Sequence, residues 1–531
     1  MFYLVRGIKL AVDDEQKVAE DKLAKKLGLA TSDFTASLYR ESIDARKGIW
    51  RVQQWLVKTT KPLKRKYLQG DVSTYQKPEL KVFLGSQKLR YKPVIIGAGP
   101  CGLFAALLLA KHGYQPIVIE RGADVTERKR IVDHFWQTGQ LNTECNVQFG
   151  EGGAGTFSDG KLTSRSKDPR SHTVLETLVQ YGAPKEILYL QYPHVGTDKL
   201  QTLLLRLRED LIAQGTTFKF NCKLENLRYD ANEKLYHLEL SDGDLKAEAV
   251  VLALGHSARD TFRMLYQTGL ALESKAFAMG FRIEHKQTLI EYCQYGDKAG
   301  HTLLPRASYH LKAQIPKLNS KLGVYSFCMC PGGFVVNASS QTERLTVNGM
   351  SYYARAGQNA NSAILCSVND SIYGKGVFNG MEFQEELEHQ AYLLGAQSKT
   401  YTAPVQLVSD FLKEKPSSQL GAITPTVKPG YVLTDLSELY PEPISSAIGD
   451  ALSIWEKKMP GFASRGAILT GIEARSSSPV RMCRLSSGES ISLPGIYPAG
   501  EGAGYAGGIV SAAIDGLKVA ETIISRYQPW L

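Results

Sequence analysis

The sequence predicts an α/β fold with a doubly wound parallel sheet, an inserted sheet-rich α+β domain and a small N-terminal α+β module. Three observations predict it. A strand, glycine-rich turn, helix and second strand follow one another between residues 93 and 122; a strand and a glycine-rich turn recur at 495–508; and the stretch between 272 and 460 consists mainly of strand-like runs. We therefore expect four segments, with bounds 1–90, 91–271, 272–460 and 461–531.

The unit between residues 93 and 122 has the pattern of a Rossmann-type nucleotide site. Val94–Ile96 is short, apolar and β-branched, as a buried parallel strand requires. Gly97 would make a tight turn, Gly99 would let the backbone approach a pyrophosphate, and Gly102 would pack a helix on the strand. The helix that begins there would direct its N-terminal amides at phosphate groups.

A second strand, Ile117–Ile119, ends in Glu120. A carboxylate at this place can accept both ribose hydroxyls of an adenosine, and its negative charge argues against a 2′-phosphate. Because strand, turn, helix, second strand and acid agree, the unit predicts a bound dinucleotide.

Two later segments return to the same pattern. Residues 249–255 form a buried strand that ends in Gly255, and strand ends in such a sheet lie at the ligand crevice. Residues 495–508 enter a glycine-rich turn and continue as a helix of small residues through Ile524. This gives a second helix N-terminus directed at phosphate or ribitol oxygens.

A loop with five glycines within residues 150–160 lies downstream of the first unit. Its backbone amides can approach a flat ligand closely, and its position favours contact with the dinucleotide. The alternative is a flexible surface loop. Ser158, Asp159 and Lys161 fit cofactor binding better than catalysis.

Composition limits the class of protein. The 531 residues are 43% hydrophobic and 22% charged, which is typical of a soluble globular protein with two or three domains. No apolar run reaches the roughly 18 residues of a membrane span, and the N-terminal apolar stretch is too short for a secretion signal, so we expect a cytoplasmic protein. Eight cysteines without a CxxC pair predict reduced thiols and no metal site.

Positive charge is concentrated in residues 51–92, which hold eleven Lys or Arg against Asp71 and Glu79. This segment carries +9 of the formal net charge of +10. It could bind an acidic partner such as RNA, a polyanionic substrate or a protein. We favour a solvated face on a module that packs against the nucleotide domain, because no RNA-binding signature accompanies the lysines.

Residues 97–120, 250–255 and 497–508 together resemble FAD-dependent oxidoreductases of the glutathione-reductase-like class. The resemblance implies that the first segment holds ADP, that the middle strand backs it, and that the last supplies an acid toward the ribitol or pyrophosphate. Glu501 stands where an aspartate is more usual in that class.

More narrowly, the chain resembles a bacterial family of uncharacterised FAD-dependent dehydrogenases. The matching stretches are CNVQFGEGGAGTFSDGKL at 145–162, YSFCMCPGGFVVN at 325–337, NGMSYYAR at 348–355, TGIEARSSSPVR at 470–481 and SIDARK at 42–47. This likeness covers most of the chain and implies a fold and a cofactor, but no substrate.

The motifs and the resemblance together predict which residues bind FAD. In chain order they are Gly97, Gly99, Pro100, Cys101, Gly102, Glu120, Arg121, Gly152, Gly153, Ala154, Gly155, Thr156, Ser158, Lys161, Leu162, Ala253, Gly255, Gly500, Glu501, Gly507, Gly508 and Ile509.

Two further clusters are candidates for catalysis, since flavin chemistry needs mainly orientation and charge near the ring. Cys328 and Cys330 could place a thiol beside the ring; the alternative is core packing, because a disulfide between cysteines on one face of a strand would strain the backbone. Glu473, Arg475 and Arg481 could bind an anionic substrate or offset charge on a reduced flavin; the alternative is an internal ion-pair network.

The sequence therefore predicts an FAD-dependent oxidoreductase that transfers hydride or electrons between bound flavin and an unidentified small molecule, held between the nucleotide domain and residues 272–460. It contains no second glycine-rich βαβ unit and no CxxxxC pair. Either NAD(P)H is a transient reductant that binds without a Rossmann unit of its own, or the substrate itself reduces the flavin. The alternative function is a flavoprotein or binding protein directed to RNA through residues 51–92.

Overall fold

The computed structural model describes residues 1–78, 82–163, 167–317, 320–396, 400–463 and 466–530. A four-stranded N-terminal sheet, a five-stranded parallel sheet and a seven-stranded mixed sheet organise the chain. Within the described ranges, no helix is long and apolar enough to cross a membrane.

The N-terminal module is an antiparallel sheet with one helix packed on it. Its elements are β1 (Phe2–Ala11), α1 (Gln16–Leu27), β2 (Phe34–Asp44), β3 (Trp50–Thr59) and β4 (Val72–Thr74), in the sheet order β2-β3-β1-β4. Helix α1 buries Ala19, Leu23 and Leu27, whose spacing of four residues places them on one side. The edge strand β2 pairs with the neighbouring domain, where the Glu41 amide donates to the Tyr189 carbonyl at 2.7 Å.

The nucleotide domain begins with a strand, turn and helix, as predicted. Its elements as far as residue 267 are β5 (Val94–Ile96), α2 (Pro100–Lys111), β6 (Ile117–Ile119), α3 (Val125–Thr138), α4 (Arg170–Gln180), α5 (Thr197–Ala213), β7 (Thr217–Lys219), β8 (Leu224–Asp230), β9 (Leu235–Leu240), β10 (Gly243–Ala247), β11 (Val250–Leu252) and α6 (Arg259–Gln267). Strands β11, β5, β6 and β7 are parallel neighbours, and β8 to β10 form a separate antiparallel sheet.

The sheet-rich insert follows. Its elements are β12 (Leu272–Ser274), β13 (Phe277–Lys286), α7 (Gln287–Tyr295), β14 (Lys312–Lys317), β15 (Ser320–Cys330), β16 (Phe334–Asn337), β17 (Val347–Met350), β18 (Asn359–Val368), α8 (Asp370–Tyr373), α9 (Asn379–Gly395), β19 (Ala403–Leu407), α10 (Val408–Phe411), β20 (Tyr431–Leu433), α11 (Glu442–Lys458) and β21 (Ile468–Glu473). The seven-stranded sheet has the order β14-β15-β18-β13-β21-β19-β20.

The chain then returns to the parallel sheet through β22 (Val480–Met482), β23 (Ile496–Pro498) and α12 (Ile509–Arg526). Strand β23 pairs with β11 and completes the order β23-β11-β5-β6-β7. Helix α12 packs closely on α2. At Gly516 the two backbones are so near that a Cβ would lie only 2.1 Å from the Cys101 carbonyl oxygen.

The predicted parallel sheet with an additional sheet-rich unit is confirmed. The structure differs from the predicted boundary at 460, because β21 lies between β13 and β19 in the seven-stranded sheet. The strands β12 and β22 pair with each other, so the chain enters and leaves the insert side by side. Local composition does not reveal where the insert ends, since β21 pairs with strands that are distant in the chain.

Candidate functional site

The turns after β5, β11 and β23 meet at the carboxyl ends of the parallel strands. Gly97 has a φ of 107°, and a Cβ there would lie 2.3 Å from the Ala253 carbonyl oxygen. A Cβ at Gly502, in the third turn, would lie 2.3 Å from the Gly255 carbonyl oxygen. Both glycine-rich turns therefore lie against the turn after β11, and they also contact each other, since a Cβ at Gly500 would lie 2.8 Å from the Cys101 Cβ.

These turns leave open space beside Gly99. A Cβ there would have no neighbour nearer than the Gly153 Cα at 3.9 Å, and a Cβ at Gly507 or Gly508 would meet no atom within 4 Å. By contrast, a Cβ at Gly102 would lie 1.9 Å from a carbonyl oxygen of the preceding turn, so this glycine packs α2 on the turn. The N-termini of α2 and α12 border the space. Open glycines beside helix amides fit the pyrophosphate of a dinucleotide.

Glu120 is held at the end of β6 by three backbone amides. Its Oε2 accepts from the Ala98 amide at 2.9 Å, and its Oε1 accepts from the Gly122 amide at 3.0 Å and the Gly150 amide at 2.9 Å. An ionised carboxylate has about four acceptor sites, so this one can still accept from a ribose hydroxyl. The geometry fits the role predicted for Glu120.

Arg128, a fully buried residue of α3, is a further functional residue that the sequence does not indicate. Burial lowers the pKa of its guanidinium to about 10, which leaves it protonated at neutral pH. It donates to the carbonyl oxygens of five residues of the glycine-rich loop: Asn146, Val147, Gly150, Glu151 and Gly153. One side chain therefore fixes the loop whose backbone faces the open space, and a single arginine in a helix with other charges gives no signal of this role.

A cavity of about 1180 Å³ contains this space and extends to the seven-stranded sheet. We call its two sides the nucleotide wall, formed by residues within 96–101, 148–158, 253–258 and 499–512, and the insert wall, formed by residues within 308–314, 323–331 and 473–476. The predicted cofactor residues that line the cavity are Gly97, Gly99, Pro100, Cys101, Glu120, Arg121, Gly153, Ala154, Gly155, Ser158, Lys161, Ala253, Gly255, Glu501, Gly507, Gly508 and Ile509. Those that pack behind the lining are Gly102, Gly152, Thr156, Leu162 and Gly500.

Three charged groups at the edge of the nucleotide wall already have protein partners. Arg121 forms ion pairs with Glu144 at 2.7 Å and with Asp260 at 2.9 Å. Lys161 Nζ contacts the Met329 carbonyl oxygen of the insert wall. Asp159 is buried and forms an ion pair with Arg355 at 2.6 Å.

The predicted arrangement of Cys328 and Cys330 on one face of a regular strand is corrected by the structure. Cys328 has a φ of 43°, and the pairing of β15 with β18 shifts register between Phe327 and Cys330. The segment is therefore a bulge. Cys328 lines the cavity, Cys330 is buried behind it, and the Cys330 thiol donates to the Cys328 carbonyl oxygen at 3.2 Å.

The structure does not bring Glu473, Arg475 and Arg481 together. Both carboxylate oxygens of Glu473 accept from the Nη1 atom of the buried Arg282, at 2.8 and 3.1 Å. Arg481 pairs with Glu273 at 2.9 Å, and its side chain is 42% exposed. Arg481 does not line the cavity, whereas Glu473 and Arg475 do.

Arg475 belongs to a buried cluster around Glu388 that the sequence did not indicate. The Glu388 carboxylate lies between Arg259, at 2.8 Å, and Arg475, at 2.7 Å. Burial acts to raise the pKa of Glu388, but the two guanidinium groups outweigh it and lower the pKa to about 2. Glu473 and Arg475 are therefore both members of buried ion pairs. Both residues also line the cavity.

Two further groups that border the cavity have shifted pKa values. Burial raises the pKa of Glu501 to about 7, with Lys275 acting in the opposite direction. Burial lowers the pKa of His256 to about 4, so its imidazole is neutral at pH 7. Glu501 can thus hold or release a proton near neutral pH beside the third glycine turn.

Side chains of the basic N-terminal segment form ion pairs with the nucleotide domain. Lys77 forms an ion pair with Glu176 at 2.6 Å, and Arg90 forms one with Glu248 at 2.9 Å. Within the same charged segment, Glu79 and Lys81 lie outside the described residues.

Comparisons with known proteins agree with this site. Residues 90–132 match a family model described as an FAD binding domain, and residues 276–476 match one described as FAD-dependent protein, C-terminal domain-like. An uncharacterized protein of Clostridium beijerinckii is 46% identical over 530 residues, which is 98% of this chain and 98% of that protein. The chain belongs to this family of FAD-dependent proteins. It is a flavoprotein, and its cofactor is FAD.

Two solved structures are also similar over most of the chain. They are NikD, an unusual amino acid oxidase essential for nikkomycin biosynthesis (13% identity, 82% of this chain and 94% of that one, TM-score 0.37), and glycine oxidase from Geobacillus kaustophilus (13% identity, 83% and 96%, TM-score 0.33). At TM-scores this low the alignments carry no inference about fold or reaction. Both matched families are FAD-dependent, which gives the RNA hypothesis no support, and membership of the glutathione-reductase-like class stays a prediction.

Proposed function

We propose that the protein transfers hydride or electrons between bound FAD and a small substrate that enters the cavity against the insert wall. The observation that carries this proposal is the continuity of the cavity, which runs from the glycine turns of the parallel sheet to the strands of the seven-stranded sheet. A group bound along the nucleotide wall would therefore present one end to side chains of the insert.

The residues present fit FAD in a definite order. Glu120 would accept from the adenosine ribose, and the amides beside Gly99 and Gly508 would hold the pyrophosphate. Glu501 would meet the ribitol side of the cofactor. The bound flavin supplies a ring that accepts hydride or electrons.

The cavity is large enough for a second molecule. Its volume of about 1180 Å³ exceeds the roughly 300–1,000 Å³ of ordinary ligand pockets. Phe327, which is 38% exposed, and Tyr192, which is 56% exposed, offer apolar surface at the insert side, and Lys312 offers an ammonium group nearby. This mixture suits a substrate with an apolar body and a negatively charged or polar end.

Side chains of this protein would control protons and charge there. Glu501 exchanges a proton near neutral pH, and the ammonium of Lys161 can offset negative charge that develops on a bound group. The buried pair of Arg282 with Glu473 holds the insert wall in place. We further propose NAD(P)H as a transient reductant that enters through the same cavity.

The substitution Gly99→Ala tests the position of the cofactor. The added methyl group has no neighbour within 3.8 Å in the free protein, so the chain should fold, but it occupies the space where the pyrophosphate approaches. We expect FAD affinity to fall by about tenfold or more, measured by quenching of FAD fluorescence on titration with apoprotein. Thermal unfolding of the apoprotein should be unchanged.

The matched control is Gly449→Ala on α11, where a Cβ would make ordinary contacts at 3.6 Å away from the cavity. It should bind FAD as the unmodified protein does. Wild-type affinity in Gly99→Ala would contradict the placement.

Stopped-flow mixing of the loaded protein with NADH and NADPH, followed by a screen of metabolites that reoxidise the flavin, tests the reductant and the substrate.

A further inference from the structure

Cys328 and Cys330 are two residues apart on the bulge of β15, and the Cys330 thiol donates to the Cys328 carbonyl oxygen at 3.2 Å. Cys328 is on the cavity surface, and Cys330 is fully buried immediately behind it. The bulge in β15 therefore places the buried thiol directly against the backbone of the residue that lines the cavity. A surface thiol backed by a second thiol is the arrangement of an attacking and a resolving cysteine.

Positive groups surround the pair. The Arg282 Nη2 atom lies 2.6 Å from the Cys328 carbonyl oxygen, to which it donates, and 3.3 Å from Cys330 Sγ. Lys161 holds the intervening Met329 carbonyl oxygen. The titratable and charged groups that face the pair are the cations Lys161 and Arg282 and the carboxyl groups of Asp159, Glu473 and Glu501.

The pair differs from every other cysteine of the chain. The neighbouring Cys330 thiol, with help from Lys161 and Arg282, lowers the pKa of Cys328 well below its usual range despite burial. The neighbouring Cys328 and burial raise the pKa of Cys330. Burial raises the pKa of the remaining thiols, which are Cys101, Cys145, Cys222, Cys293, Cys366 and Cys483. These opposite shifts favour the thiolate form at Cys328 and the thiol form at Cys330.

We propose that Cys328 and Cys330 are a redox-active pair that exchanges two electrons with FAD bound in the cavity. In the oxidising direction, an S–S bond forms between the Cys328 thiolate and Cys330, and the S–H bond of Cys330 breaks. Two electrons and one proton pass to the oxidised flavin, which is the oxidant. The reverse step regenerates the thiolate and the thiol. This inference rests on the proposed function, because it requires the ring end of FAD to lie at the insert wall.

An anaerobic reductive titration of the FAD-loaded full chain tests the pair. After oxidation with diamide, the protein should take up four electrons per flavin, two in the ring and two in the disulfide. Cys330→Ser should take up two. The control Cys293→Ser, which removes a half-buried thiol outside the cavity, should still take up four.

Two further readouts do not depend on turnover. In the oxidised protein, the peptide that carries both cysteines should be lighter by two hydrogen atoms and resist iodoacetamide until the protein is reduced. Cys330→Ser leaves a lone thiol beside oxidised flavin, so it should show long-wavelength charge-transfer absorbance that Cys328→Ser lacks. Flavin content and thermal unfolding identify any variant that fails to fold.

The possible failures are distinguishable. Wild-type protein that binds FAD, takes up two electrons per flavin and keeps both thiols open to iodoacetamide after diamide treatment overturns the thiol pair and leaves the proposed function intact. Wild-type protein that binds no FAD overturns both.

Discussion

The nucleotide wall and the insert wall are built differently. The nucleotide wall is mostly backbone, with glycines at three turns and helix amides around open space. The insert wall consists mainly of side chains, and buried ion pairs such as Arg282 with Glu473 hold it. A wall made of backbone groups suits a cofactor whose identity is fixed. A wall made of side chains can instead select one substrate among several. We therefore expect substitutions behind the insert wall to act on folding stability, and those behind the nucleotide wall to act first on FAD affinity.

The largest expected effect is that of Glu388→Gln. The change removes the negative charge of the carboxylate that pairs with both Arg259 and Arg475. The two buried guanidinium groups therefore lose their compensating charge. Removing one partner of a buried ion pair costs about 3–5 kcal/mol. We expect the free energy of unfolding, measured with urea at pH 7, to fall by that amount.

The loss of unfolding free energy in Glu388→Gln should become smaller as the pH falls. Because the folded-state pKa of Glu388 is lowered to about 2, its contribution is present above the unfolded pKa of about 4.3 and is lost as pH falls toward 2. The gap between Glu388→Gln and the wild type should therefore narrow between pH 5 and pH 3. Glu386→Gln, an exposed position of the same helix, is the control and should change stability little. A gap that does not change with pH would contradict the charge argument.

Arg128→Lys is expected to have an intermediate effect, on the nucleotide wall. A lysine has one ammonium group and cannot reach the five carbonyl oxygens to which Arg128 donates. We expect a loss of about 2–3 kcal/mol in unfolding free energy and roughly tenfold weaker FAD binding, because the loop it fixes faces the cofactor.

Arg130→Lys, exposed on the same helix and paired only across one turn with Glu127, is the matched control. If both variants bind FAD equally well, the loop does not need Arg128 to hold its cofactor-facing shape.

The difference between the walls also explains what the sequence could predict. Gly97, Gly99 and Glu120 lie next to the strand and helix that use them, so local spacing indicates both fold and ligand. Arg128 resembles an ordinary helical charge, because its partners are carbonyl oxygens that have no sequence signature. Glu388 could not be predicted for a related reason, since its guanidinium partners come from segments more than 80 residues away on either side.

The smallest expected effect is that of Arg481→Gln, and it separates sequence proximity from proximity in the fold. Arg481 follows Glu473 and Arg475 closely in the chain, but β22 pairs with β12 and not with the seven-stranded sheet, which directs this side chain to Glu273 at the surface. A half-exposed ion pair contributes about 0–1 kcal/mol. We expect unfolding free energy to change by no more than that, and FAD affinity and flavin reduction to match the wild type. A large loss of flavin reduction with normal FAD content would show that Arg481 contacts the cavity during the reaction. Arg481 would then have to be counted among the residues that act on the substrate.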